Sequence, residues 1–154
     1  MRIIDKQGPL YNPADRDHCL QYMIAVGLIH GTLTAEHYED RLAADPRIDR
    51  LRGKMRVTED PVYSRDYLDP EKRAIGNAVQ VFFKDGTCTP RIAVDYPLGH
   101  RARRAEGLPL LQAKFESALA TRFAPDRTAR IVAACAYRAM LQAIPVHEFM
   151  DLFV

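Results

Sequence analysis

Cys19-Leu20-Gln21-Tyr22-Met23-Ile24-Ala25-Val26 is apolar on most sides, and Gly31 stops it. A helix that is apolar nearly all round is a buried one. Asp15 to Asp17 offer N-cap and first-turn acids ahead of it, after a lead-in over residues 1–13 punctuated by Gly8-Pro9 and Asn12-Pro13. Thr34 predicts the cap of a second, shorter helix through Tyr38 and Leu42. Asp45-Pro46 predicts a third, with Pro at its first position, through Ile48 and Leu51.

The period then changes. Met55-Arg56-Val57-Thr58-Glu59 reads as a short strand, and Asp60-Pro61 to Asp69-Pro70 as polar loop with Tyr63 and Tyr67 as anchors. Val79, Val81 and Phe83 alternate on one face, as do Ile92, Val94 and Tyr96. Asp85-Gly86 between them supplies the positive φ of a tight hairpin. Pro97 and Gly99 end the second strand. Pro109 then opens a helix carrying Leu111, Phe115, Ala118 and Leu119 at helical spacing. Pro125 breaks it, Asp126 caps another through Ile131, Cys135 and Leu141, and Pro145 starts a last turn ending in Phe149, Leu152 and Phe153. Helices, a small antiparallel sheet, then helices make an α+β pattern. The last helices carry more apolar surface than a three-strand sheet needs, so they are expected to pack on something outside this chain.

Composition narrows the field. The 154 residues hold 22 Lys and Arg against 20 Asp and Glu, a formal charge of +2. That length buries a real core without disulfides or metal, and the balance gives no reason to expect nucleic acid. No apolar run approaches the length that spans a bilayer. The N-terminus lacks the apolar stretch of a signal peptide, so a cytoplasmic location is expected. Cys19, Cys88 and Cys135 are far apart and odd in number. No Cys or His pair has metal-ligand spacing, so no metal and no cofactor is expected. No glycine-rich phosphate loop and no nucleophile elbow is present.

Two groupings carry possible chemistry. His18 and Tyr22, four apart on the first predicted helix, would place an imidazole and a phenol on one face. On spacing alone, satisfied polar groups at a helix-to-core boundary are the stronger reading. His100-Arg101-Ala102-Arg103-Arg104 puts three guanidinium groups within four residues, a candidate for carboxylate or phosphate. A solvated charged face is the commoner state of such a run. His30 stands at a helix end, and His37 and His147 read as surface residues.

The run Gly8-Pro9-Leu10-Tyr11-Asn12-Pro13-Ala14-Asp15-Arg16-Asp17-His18-Cys19-Leu20-Gln21-Tyr22-Met23 resembles the MmgE/PrpD family, in its 2-methylcitrate dehydratase branch. So do Leu33-Thr34 through Tyr38-Glu39-Asp40, Asp69-Pro70-Glu71-Lys72-Arg73-Ala74-Ile75, Tyr96-Pro97-Leu98-Gly99-His100, and the ending Pro145-Val146-His147-Glu148-Phe149-Met150-Asp151-Leu152. These blocks agree in order and spacing over essentially the whole chain. The family implies a chain roughly three times longer, with a large helical domain and a smaller α/β lid. On that resemblance residues 1–106 belong to the lid, and residues 107–154 are C-terminal helices that pack on the missing N-terminal helical domain.

The resemblance also implies a metal-independent removal of water from 2-methylcitrate, a small tricarboxylate, giving 2-methyl-cis-aconitate in propionate breakdown. It implies a homodimer, and it places Tyr22 at the active site as proton donor or substrate hydrogen bonder with His18 as its neighbour. Arg101, Arg103, Arg104 and His100 are the candidates for binding carboxylates. The alternatives within the family are cis-aconitate decarboxylation and epimerisation of a related dicarboxylate. Outside it stands a non-catalytic interaction module.

Overall fold

A computed structural model describes residues 4–154. Met1 to Ile3, the first part of the lead-in and of the stretch read against a signal peptide, lie outside the described residues. The chain forms two compact units, Met1–Asp60 and Pro61–Val154.

In the first unit Asn12 caps a single turn, α1 (Pro13–Arg16), by accepting from the Asp15 amide at 2.9 Å. Asn12-Pro13 is thus a helix start, with Pro at the position where its missing N–H costs nothing. Cys19 is extended, and α2 (Leu20–His30) begins after it. Gly31, at φ 71°, closes α2 in the left-handed conformation that glycine adopts without a Cβ clash. A 3₁₀ turn (Ala35–Tyr38) capped by Thr34 follows, then α3 (Asp40–Ala43) and α4 (Pro46–Arg52). The core is Cys19, Tyr22, Ala25 and Val26 of α2 and its lead, packed on Ile48 of α4. Leu10, Ile29, Tyr38, Leu51 and Met55 close its edges.

Residues 55–60 form no strand. Met55 turns inward against this core, which removes it from the alternation that suggested one.

Asp45 caps α4 with its Oδ1 on the Arg47 amide at 2.9 Å, while its carboxylate takes the Arg47 guanidinium at 2.9 and 2.6 Å. Those bonds hold its pKa down from 3.8 to about 2. A lowered folded-state pKa adds stability that is fully present above the unfolded value and is lost as pH falls through the folded one. The thermal midpoint of the chain should therefore drop between about pH 4 and pH 2. Asp45→Asn, which keeps the cap but not the charge, should show a shallower drop over the same window. Circular dichroism melts of both proteins check this, and parallel profiles would remove the role given to Asp45.

The second unit opens with α5 (Pro61–Leu68), a helix where polar loop was expected. Asp60-Pro61 reads as the start of polar loop, but proline also suits a first helical position. Strands β1 (Asn77–Val79) and β2 (Ile92–Val94) pair antiparallel, with Asn77 opposite Val94 and Val79 opposite Ile92. The sheet has these two strands among the described residues, one fewer than expected. The connection closes through three residues, Lys84-Asp85-Gly86. The Gly86 amide donates to the Phe83 carbonyl at 3.2 Å and the Phe83 amide to the Thr87 carbonyl at 2.8 Å, with Gly86 at φ 87°. This is a turn followed by a left-handed residue, rather than a two-residue turn.

Tyr63 of α5 lies on the sheet's lead-in. A Cβ at Gly76 would stand 2.5 Å from its ring, and its hydroxyl accepts from Arg91 at 3.2 Å. The hairpin's apolar rows are open to solvent, with Ile92 62% and Phe83 52% exposed.

Helix α6 (Arg104–Ala120) begins five residues before Pro109, which sits inside it. Its early turn presses on the Pro97-Leu98-Gly99 bend. A Cβ at Gly107 would stand 2.1 Å from the Leu98 carbonyl oxygen. Helix α7 (Pro125–Ala136) starts on its proline and stops at Tyr137, whose backbone is extended, so Leu141 belongs to a separate α8 (Arg138–Ala143). Pro145 caps α9 (Val146–Asp151). Phe153 meets Phe149 and Phe123 edge-on at 5.2 and 5.9 Å, and Leu119 of α6 and Ile131 of α7 are buried. Short helices with a small antiparallel sheet make the chain α+β.

Candidate active site

The residues singled out from the sequence fall in both units. In the first, Tyr22 is 2% exposed on the buried face of α2. Its hydroxyl donates to the backbone carbonyl of His37, and its ring stacks on Tyr38 at 6.1 Å between centroids. Burial pushes its pKa above the ordinary 10.0, so the phenol keeps its proton throughout the neutral range.

His18 does not share a helix face with Tyr22. It lies in the turn between α1 and α2, because the extended Cys19 interrupts the helical period. Its side chain is 56% exposed. Its Nδ1 lies within hydrogen-bond reach of the Asp17 carboxylate and 3.2 Å from the Ala14 carbonyl.

The 3₁₀ turn against which Tyr22 rests is held from several sides. The Thr34 side chain accepts from the His37 amide, and His37 Nδ1 accepts in return from the Thr34 amide at 3.1 Å. This reciprocal arrangement is a capping box. The His30 ring lies 4.9 Å from the His37 ring. The buried Arg16 donates to the Tyr38 carbonyl and, at 2.6 Å, to Asp40. His37 is half-buried and engaged, where the sequence suggested a plain surface residue. The Thr34-to-His37 spacing signals the cap, but a backbone carbonyl as the partner of Tyr22 has no sequence signature.

In the second unit the run after β2 forms a 3₁₀ turn, Arg101–Arg103, leading into α6. His100 caps it, its Nδ1 accepting from the Ala102 amide at 3.0 Å. Its ring stacks on Tyr96 at 4.6 Å. That bond leaves Nε2 as the nitrogen open to a ligand. Arg101 donates to the carbonyls of Pro70 (3.2 Å) and Glu71. Arg103 donates to the Tyr96 carbonyl at 3.1 Å and grips Glu106 in a fork at 3.2 and 2.7 Å. The fork lowers the pKa of Glu106 below its usual value and raises that of Arg103. Arg104 is exposed at the start of α6. The three guanidinium groups are therefore not equivalent, since two tie the turn to its surroundings and Arg104 faces solvent.

Among the described residues no group of three or more His, Cys, Asp or Glu side chains is arranged to hold a metal ion.

Residues 1–137 match the model of the MmgE/PrpD C-terminal domain. The chain belongs to the MmgE/PrpD family.

Its relatives in that family include the 2-methylcitrate dehydratase of Cupriavidus necator, 58% identical over 153 residues that cover 99% of this chain and 32% of the relative. The 2-methylcitrate dehydratase of Escherichia coli (strain K12) is 52% identical over 154 residues, with 100% and 32% covered. The mitochondrial 2-methylcitrate dehydratase of Yarrowia lipolytica is 51% identical over 154 residues, with 100% and 29% covered. The chain thus spans about a third of the length of these relatives. For this MmgE/PrpD domain the matched span takes in every candidate residue, from His18 and Tyr22 to Arg104. No helix among the described residues is long and apolar enough to cross a membrane.

Proposed function

We propose that this chain is the C-terminal portion of a 2-methylcitrate dehydratase, a hydro-lyase that removes water from a small tricarboxylate. The observation that carries this reading is the identity of 51–58% along the full chain to proteins of that name.

The reaction needs a base for the proton next to a carboxylate, an acid for the departing hydroxyl, and cations to hold three carboxylates. Tyr22 is assigned the acid or a substrate hydrogen bond, since a phenol holds its proton through the neutral range. His18, exposed in the turn just ahead of α2, is the imidazole this reading assigns to the site. Arg104 is the guanidinium with least to give up on binding a carboxylate, and His100 offers Nε2 beside it. Arg101 and Arg103 shape the turn and join the substrate by exchanging a carbonyl or Glu106 for it.

On this reading residues 1–106 form the lid, and residues 107–154 pack on a helical domain supplied by the rest of the enzyme. A groove of about 620 Å³ between α6 and α7, lined by Ala113, Ala120, Phe123 and Val132 among others, supports that packing. So do Leu108 and Leu111, 54% and 62% exposed. The complete enzyme would be a cytoplasmic homodimer.

The test joins this chain to the remaining two-thirds of the Cupriavidus necator relative and supplies 2-methylcitrate. Loss of water creates a double bond conjugated to a carboxylate, which is followed by ultraviolet absorbance. Dehydration is the expected result. Release of carbon dioxide from cis-aconitate without dehydration of 2-methylcitrate would move the assignment to a decarboxylase of the same family.

A further inference from the structure

Resting on the role given to Tyr22 above, we propose that Thr34 and His37 are positioning residues for its hydroxyl group. A phenol has one proton to give, and here it goes to the His37 carbonyl. That carbonyl belongs to the third residue of a 3₁₀ turn only four residues long, and a turn so short has little rigidity of its own. What fixes it is the reciprocal pair between Thr34 and His37, with Arg16 and Asp40 holding the far end. The cap therefore decides where the acceptor of the Tyr22 proton stands, and with it the direction of the O–H bond.

This matters for the chemistry because a proton aimed at His37 is not aimed at a substrate. The phenol's lone pairs are left to meet the substrate first. Donation to a leaving hydroxyl follows only when the O–H turns away from the carbonyl. A well-placed carbonyl makes that turn reproducible. A displaced one leaves the phenol to find other partners. His37 acts here through its main chain and does not touch the substrate. Its imidazole serves by accepting the Thr34 amide, a task that Gln performs at the same position of a capping box.

The experiment uses the 154-residue chain with ¹³C at the tyrosine Cζ carbons. Tyr22→Phe identifies the Tyr22 resonance. His37→Leu removes the side-chain acceptor, and His37→Gln restores it. Thr34→Val keeps the shape at the cap and removes its hydroxyl, which covers the case in which His37→Leu does not fold. The same substitutions are assayed in the reconstituted enzyme.

We expect His37→Leu and Thr34→Val to move the Tyr22 resonance and to lower kcat about 10- to 100-fold, the range for a displaced reacting group, with KM little changed. His37→Gln should return both to the parent values. A Tyr22 resonance unmoved in folded His37→Leu and Thr34→Val overturns the proposal, and so does failure of His37→Gln to restore it. If Tyr22→Phe itself leaves turnover normal, the role of Tyr22 in the reaction falls. The resonance shifts still report whether the cap holds the phenol, so the two failures are distinguishable.

Discussion

Tyr22→Phe in the reconstituted enzyme should lower kcat by about two to four orders of magnitude, the range for a positioned acid or base. The substitution keeps the ring, its stacking on Tyr38 and its place in the α2–α4 core. It removes one hydroxyl and leaves the His37 carbonyl without that donor. Losing a hydrogen bond of this kind costs about 1 kcal/mol, more if the abandoned carbonyl stays dry. The fold should therefore survive with a modest fall in melting temperature. Rate and melting temperature measured on the same preparation separate chemistry from packing. Turnover within a few-fold of the parent would return Tyr22 to the role of a satisfied core residue, and the buried hydrogen bond alone would then account for it.

The 154-residue chain by itself should show no measurable turnover of 2-methylcitrate. Its candidate residues bring the buried phenol of Tyr22, the imidazoles of His18 and His100, and the solvent-facing guanidinium of Arg104. Base, acid and a clamp for three carboxylates in a water-excluding site need more groups than these. The relatives named dehydratases are about three times longer. Adding the remaining two-thirds as a separate polypeptide should restore activity. The measurement is steady-state absorbance with the chain alone and then with its complement. Activity of the purified chain alone would show that the site is complete within it.

The elements legible in the sequence are those whose signals are local. Gly31 ends α2 because a left-handed residue is needed there, and Asp45-Pro46 starts α4 because an acid cap and a proline suit the same two positions. The hairpin was legible from alternation and Asp85-Gly86, though the extra residue in its turn was not. Where the reading failed, two structures shared one signal. Asp60-Pro61 served a loop or a helix start equally, and α5 took the second. Met55 and Val57 alternate like a strand, yet residues 55–60 form none and Met55 goes to the helical core.

The site was legible as a list of residues and not as an arrangement. Counting four from His18 to Tyr22 assumes an unbroken helix, and the extended Cys19 breaks it. Three arginines within four residues look alike until Pro70, Glu71, Tyr96 and Glu106 claim two of them. The claims on Arg101 come from residues 30 and 31 positions away, and no local pattern encodes them. The partner of Tyr22 is a main-chain carbonyl, which every residue type carries.

Gly107 has a bearing on how this sequence can drift over generations. The obstacle to any side chain there is the Leu98 carbonyl, part of the backbone, so no choice of rotamer moves it aside. A replacement at 107 requires the Pro97-Leu98-Gly99 bend to shift. That bend lies directly between Tyr96, whose carbonyl Arg103 holds, and His100, which caps the turn of arginines. A substitution of Gly107 would therefore perturb the carboxylate-binding candidates through the chain they are strung on. Accepted variation at 107 is expected to arrive only in company with change in the bend, which couples codon 107 to those of the bend through no shared side-chain contact.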